Sequence, residues 1–310
     1  MKYKFKNIKI FDTCSSLPIL SNTICFHGNP LDERGDYAIS LNIDNKLINF
    51  KYDDENFNII INGETFDVDE YENEFLTITE SSIIIEATTL SVIDILFILK
   101  AIKTISSIVD IQILYIEPKE YNFKNSSILE YDDFELSSKF KEFPPVPGFT
   151  ILTQPYDEVD EERENTELIA FLGFERTRLG QIFTSDDGAT YTKFTPVIPL
   201  PGFSPGWENR TISSHLKFFS SKYVFNKLEY VSANNPYHAY KILLNFSKTR
   251  NKFRIAPIGT KPNAIGCAIF LLNNDTNNGI NSGILFDFPT KIKKRSNGVG
   301  KINIYMLIKD

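Results

Sequence analysis

Residues 82–118 read SIIIEATTLSVIDILFILKAIKTISSIVDIQILYIEP, and this stretch decides the fold. Ser82–Glu86 is a short continuous apolar run closed by a carboxylate, as in a strand buried on both faces. Thr88, Thr89 and Ser91 then offer hydroxyls that can cap a helix. Over residues 91–108, Val92, Ile95, Leu96, Leu99 and Ile102 recur at helical spacing. Residues 110–116, DIQILYI, form a second strand, stopped by Glu117-Pro118. A strand, a helix and a second parallel strand make a right-handed crossover.

The same rhythm resumes further along. Strands are expected at 167–174, 194–200, 227–233, 252–258, 283–288 and 301–308, and helices at 175–183, 207–219, 236–247 and 262–272. Pro236 and Pro262 stand where a helix tolerates proline, in its first turn. The prolines within 194–200 place that strand near a sheet edge, or mark its end. This alternation predicts an α/β fold: a Rossmann-like, mostly parallel sheet with helices on both faces, over residues 81–310. A polar and acidic stretch near 120–165, including FPPVPGF and DEVDEEREN, reads as an insertion. Residues 1–80 read as a β-rich N-terminal region, with FNIIINGETFDV as a hairpin turning at Asn62-Gly63.

Composition narrows the class. The chain has 310 residues, 42% hydrophobic and 24% charged, which excludes disordered, collagen-like and low-complexity classes. A net charge of -7 argues against general nucleic-acid binding, which needs an excess of Lys and Arg. Cys14, Cys25 and Cys267 lack metal-ligand spacing, as do the three histidines, so neither a metal nor a cofactor is expected. The longest apolar candidate for a membrane span, within 90–108, is broken by Asp94, Lys100 and Lys103, and the N-terminus lacks the apolar core of a leader. A cytoplasmic, soluble protein is expected.

In open α/β sheets ligands bind beyond the carboxyl ends of the strands. The sharpest strand end is RIAPIGTKPNAIG. Gly259 permits close approach of backbone to a ligand. The first amides of the following helix, the Thr260 hydroxyl and the Lys261 ammonium together suit a phosphate. The loop is not a Walker A sequence. Other strand ends add Glu175 and Arg176, with Arg178 beside them, from FLGFERTR. Trp207 and Phe203 of PLPGFSPGWENR could stack on a base, and Glu86 and Thr88 could hold a ribose. The basic run KIKKR at 291–295 could cover an anionic ligand, and Cys14 is a conceivable nucleophile with no base adjacent in sequence.

The GTKP turn between a strand and a helix resembles the signature of CARF-type domains. These are Rossmann-like sensors of cyclic oligoadenylates in CRISPR-associated antiviral defence proteins, whose later strand is commonly followed by Gly-Gly-Thr-Lys. Ile258 stands here where the first of those glycines would be. The resemblance covers about a dozen residues and a compatible α/β rhythm. It implies a homodimer with a nucleotide bound across the two-fold axis. The expected function is a nucleotide-binding sensor or accessory protein of prokaryotic defence. The alternatives are an enzyme acting on a nucleotide or other phosphorylated substrate, with Glu86, Glu175 and Asp12 as acid/base or metal-binding groups, and a scaffold that binds a protein partner in a defence complex. The catalytic residues of such an enzyme are unknown from sequence.

Overall fold

A computed structural model describes residues 1–13, 17–121, 141–143, 166–184, 191, 193–219, 224–225, 227–274, 280–288 and 296–310. Most of the acidic stretch near 120–165, the KIKKR run and Cys14 lie outside the described residues. The chain is α/β and divides into two compact units, residues 1–122 with 293–310, and residues 123–292.

The first unit opens with β1 (Tyr3–Phe11), β2 (Ile24–His27), α1 (Glu33–Ser40), β3 (Lys46–Asp53), β4 (Asn58–Ile61), β5 (Glu64–Asp67) and α2 (Glu72–Phe75). It continues with β6 (Ser82–Glu86), α3 (Val92–Thr104) and β7 (Asp110–Tyr121), and is completed by the last strand, β15 (Ser296–Lys309). Its eight-stranded sheet has the order β1-β15-β7-β6-β2-β3-β4-β5. β3, β2, β6 and β7 run parallel, and antiparallel pairs extend both ends. The β4–β5 hairpin turns at Asn62-Gly63, as the sequence predicts. Both residues have positive φ, 51° and 87°, the backbone that Asn and Gly tolerate and a tight hairpin needs.

Alternation along these strands feeds two cores. Cys25, Ile84, Leu114, Ile116, Ile302 and Ile304 share one face with Ala38 of α1. On the other, Phe26 stacks on Phe75 of α2 at 5.1 Å, and Tyr52 stacks on Phe97 of α3 at 5.0 Å. α3 is apolar nearly all round and buried nearly all round, as a helix between sheet and neighbours must be.

The second unit holds β8 (Lys141–Phe143), β9 (Glu167–Phe171), α4 (Arg176–Thr184), β10 (Lys193–Pro199), α5 (Trp207–Phe219), β11 (Val224–Phe225) and β12 (Glu229–Val231). α6 (Pro236–Ser247), β13 (Lys252–Ala256), α7 (Lys261–Asn273) and β14 (Asn281–Phe286) follow. The sheet order is β11-β10-β9-β13-β14-β8, with β12 also on β10. All pairings are parallel except that of β8 with β14. Leu168, Ala170, Phe194, Ile198 and Ala256 pack on one face with Leu179, Ile182 and Phe183 of α4 and with Ile212 and Phe218 of α5. On the opposite face Phe253 meets Phe246 of α6 at 5.1 Å and Phe270 of α7 at 6.1 Å.

One expectation is corrected. The boundary near residue 80 does not divide the chain, because β6 hydrogen-bonds to β2 on one side and β7 on the other. Residues 81–121 therefore belong with the N-terminal strands, and β15 returns to the same sheet, antiparallel, between β1 and β7. The strand at 194–200 lies next to the sheet edge, where its prolines place it. β10 lies between β9 and the β11/β12 pair, and Pro196 falls opposite the gap between β11 and β12, where no ladder hydrogen bond is required.

Candidate functional site

The strand order of the second unit reverses between β9 and β13. From β9 the chain steps outward through β10 to β11 and β12, then returns to the other side of β9 with β13 and on to β14. α4 and α5 cover one face and α6 and α7 the other, so the segments leaving β9 and β13 part at their carboxyl ends. Such a reversal opens a crevice at the strand-end rim. The residues at this crevice are Gly173, Phe174 and Glu175 after β9, and Gly259, Thr260 and Lys261 after β13.

The two segments pass each other closely. A Cβ on Gly259 would lie 2.5 Å from the Leu172 carbonyl oxygen, and one on Gly173 would lie 3.0 Å from the Ile258 carbonyl oxygen. Glycine at both positions is what lets two backbones cross there. Arg176 and Lys261 open α4 and α7, on opposite faces but at the same rim, and both are half-buried.

Thr260 is the N-cap of α7, yet its side chain makes no capping hydrogen bond. Its hydroxyl donates instead to the Ala233 carbonyl at 2.7 Å, tying the start of α7 to the end of β12. This corrects the expectation that the Thr260 hydroxyl is a donor for an anion. Two residues into α7, Asn263 is 2% exposed, and its Oδ1 has no hydrogen-bond partner.

Beneath the crevice lies an ion pair. Arg178 donates from Nε to Asp287 Oδ2 at 2.7 Å and pairs through Nη2 with Oδ1. Its Nη1 reaches the Ile258 carbonyl at 3.0 Å. The two side chains are 7% and 0% exposed. Burial disfavours the guanidinium charge, but Asp287 and Glu175 outweigh it and raise the Arg178 pKa. Glu175 is thus a buried neighbour of Arg178 rather than a carboxylate presented to solvent. Trp207, at the start of α5, meets Phe174 edge-on at 5.9 Å and Phe203 at 6.5 Å, while Arg210 lies over the Phe174 ring. The aromatic loop is therefore joined to the end of β9.

Glu86 and Thr88, expected at the same site, belong to the first unit. Glu86 is fully buried and accepts from the amides of Thr88 at 2.7 Å and Thr89 at 2.9 Å, and from the Thr89 hydroxyl. Thr88 Oγ1 accepts from the Ile116 amide at 3.1 Å. These groups hold a turn together and are not presented to a ligand. Cys25 lies beside Glu86, and burial together with that charge pushes its thiol pKa up. Asp12 also belongs to the first unit and Glu175 to the second.

Sequence reasoning missed Asp287 and the role of Arg178. Asp287 directly follows β14, so the strand-end criterion that picks out Gly259 would have picked it out had the strand been ended two residues earlier. Among the described residues, no three His, Cys, Asp or Glu side chains are grouped as a metal site requires, and no helix is long and apolar enough to cross a membrane. Comparison of the chain with protein-family models, with curated proteins and with solved structures finds no match.

Proposed function

We propose that the second unit is a Rossmann-like nucleotide-binding domain, and that it takes a phosphorylated ligand at the start of α7. The observation that carries this reading is the uncapped α7 terminus at the crevice. α1, α3 and α6 each begin with a side chain bound to their first amides, from Asp32, Ser91 and Asn235. α7 has no such group, and it starts, as α4 does, where the strand order reverses. Helix amides and the positive end of the helix dipole favour an anion there. Gly259 and Gly173 bring the two strand ends together beside the start of α7, Lys261 supplies a cation, and Arg178 fixes the turn by holding the Ile258 carbonyl. Arg176 and Trp207 flank the crevice, the first as a second cation and the second as a stacking surface for a base.

The GTKP turn directs the reading towards a sensor or accessory protein of prokaryotic antiviral defence, acting in the cytoplasm as a homo-oligomer. Calorimetric titration of mono-, di- and cyclic oligonucleotides tests it. Lys261→Ala should weaken binding roughly 10- to 150-fold, the loss of one hydrogen bond to a charged group. The ligand should be recovered intact, and its consumption would make the protein an enzyme instead. If no phosphorylated compound binds the wild type, a protein-binding scaffold becomes the better reading.

A further inference from the structure

We infer that the ligand at the start of α7 carries a hydrogen-bond donor beside its phosphate, and that Asn263 receives it. The inference rests on the phosphate reading above and adds the class of ligand. The other polar groups assigned to that site all donate: the helix amides, Lys261 and Arg176. The ionised oxygens of a phosphate offer these groups acceptors, and they leave a carbonyl oxygen with nothing to bind. Asn263 places such an oxygen in the first turn of α7, 2% exposed and without a partner. The Cα–Cβ bond of a helical residue leans towards the helix N-terminus, and Asn263 stands in the first turn of α7, the end that meets the crevice. Pro262, alongside it, has no amide hydrogen to offer, and the Ala264 amide is bound to the Thr260 carbonyl at 3.1 Å.

A buried acceptor without a partner destabilises a fold, and native proteins hold few of them. A neutral O–H or N–H on the ligand would satisfy Oδ1 on binding. In a nucleotide that donor is a ribose hydroxyl or a base amino group. Both are the same chemistry to Asn263, and neither exists on inorganic phosphate or pyrophosphate.

Titration of the full-length wild type, Asn263→Ala, the near-isosteric Asn263→Leu and Lys261→Ala tests this. The probes are pyrophosphate, ribose 5-phosphate, adenosine 5′-monophosphate and its 2′,3′-dideoxy analogue. Asn263→Ala should weaken adenosine monophosphate by about tenfold, one hydrogen bond, and leave pyrophosphate unchanged. Loss shared with ribose 5-phosphate and absent from the dideoxy analogue assigns the donor to the ribose. Loss shared with the dideoxy analogue and absent from ribose 5-phosphate assigns it to the base. At least one Asn263 variant should melt no lower than wild type, because an unsatisfied acceptor has been removed. The inference is overturned if both variants melt lower, or if pyrophosphate and adenosine monophosphate respond equally to Asn263→Ala. If the wild type binds none of the four probes, or Lys261→Ala changes none of them, the phosphate reading itself has failed and this inference falls with it.

Discussion

In the first unit Asp32 binds the amides of Arg34 and Gly35 at the start of α1, Ser91 and Asp94 cap α3 reciprocally, and Glu86 binds the amides of Thr88 and Thr89. In the second unit Thr260 turns its hydroxyl to Ala233 and leaves α7 without a side-chain cap. Both units reverse their strand order, between β2 and β6 in one and between β9 and β13 in the other. The architecture therefore does not by itself make a binding site. What differs is whether the polar groups at the reversal are already satisfied by the chain. Each unit also has an Arg–Asp pair near its rim. Arg34 and Asp32 keep 16% and 19% of their side chains exposed, whereas Arg178 and Asp287 are closed off from solvent.

That last contrast gives the largest expected effect. Arg178→Ala leaves Asp287 buried with its charge unmatched, and should destabilise the protein by about 3–5 kcal/mol. Replacing both partners, as Arg178→Met with Asp287→Leu, should recover much of that loss, since the desolvation cost goes with the charges. Urea unfolding of the three proteins measures this. A double variant no better than Arg178→Ala would mean that the Ile258 contact, rather than the charge, holds the crevice.

Glu86→Ala tests the closed rim. It removes the acceptor for two amides and a hydroxyl inside the first unit and should cost about 1–3 kcal/mol. Binding of phosphorylated compounds should not change. Weaker binding at unchanged stability would return Glu86 to the ligand site and dissolve the contrast between the units.

Much of this was legible in the sequence, and the failures are instructive. Asn62-Gly63 announces a tight turn because the residues themselves tolerate positive φ, and Asn235-Pro236 announces a helix start because both residues act locally. Local chemistry is readable without knowing the fold. Which sheet a strand joins is not local: the apolar run of β6 says only that it is buried, and its neighbours β2 and β7 are chosen by the whole unit. The same holds at the sites. Gly259 and Lys261 stand out because a strand end followed by a helix start has a recognisable pattern. Arg178 looks like an ordinary surface charge until Asp287, 109 residues away, is brought against it. Glu86 misled for the opposite reason, since a carboxylate before two threonines reads equally as a ligand contact and as a cap.

The contrast can be sharpened by converting one rim into the other. Thr260→Asp offers α7 the carboxylate cap that Asp32 gives α1. The cap should stabilise by about 1 kcal/mol, and loss of the hydroxyl bond to Ala233 should cost about as much, so the melting temperature should move little. Phosphate binding should fall by at least roughly tenfold, because the carboxylate occupies the amides and repels the anion. Thr260→Ser, which keeps the hydroxyl, should bind as the wild type does. Unchanged binding in Thr260→Asp would move the anion away from the start of α7.

The smallest effect is a dependence on acid, and it belongs to the closed rim. Burial pushes the Asp32 carboxyl up, but the hydrogen bond and charge of Arg34, the Ser296 hydroxyl and the Gly35 amide outweigh it and hold the pKa below the ordinary value. A depressed carboxylate contributes its stability fully above the unfolded value of about 3.9 and loses it as pH falls through the folded value. Asp32→Asn keeps an oxygen for the amides of α1 and removes the charge, so it isolates that contribution. The wild type should be more stable than Asp32→Asn at pH 7 by no more than about 1 kcal/mol, given the partial exposure of the pair. The difference should narrow below about pH 4 and vanish once the carboxyl is protonated in both states. Denaturant unfolding at pH 7, 5, 4 and 3 follows it. A gap that persists unchanged at the lowest pH would assign the role of Asp32 to shape rather than charge. The two rims would then differ only in whether a side chain reaches the helix amides, not in the sign of the field it sets there.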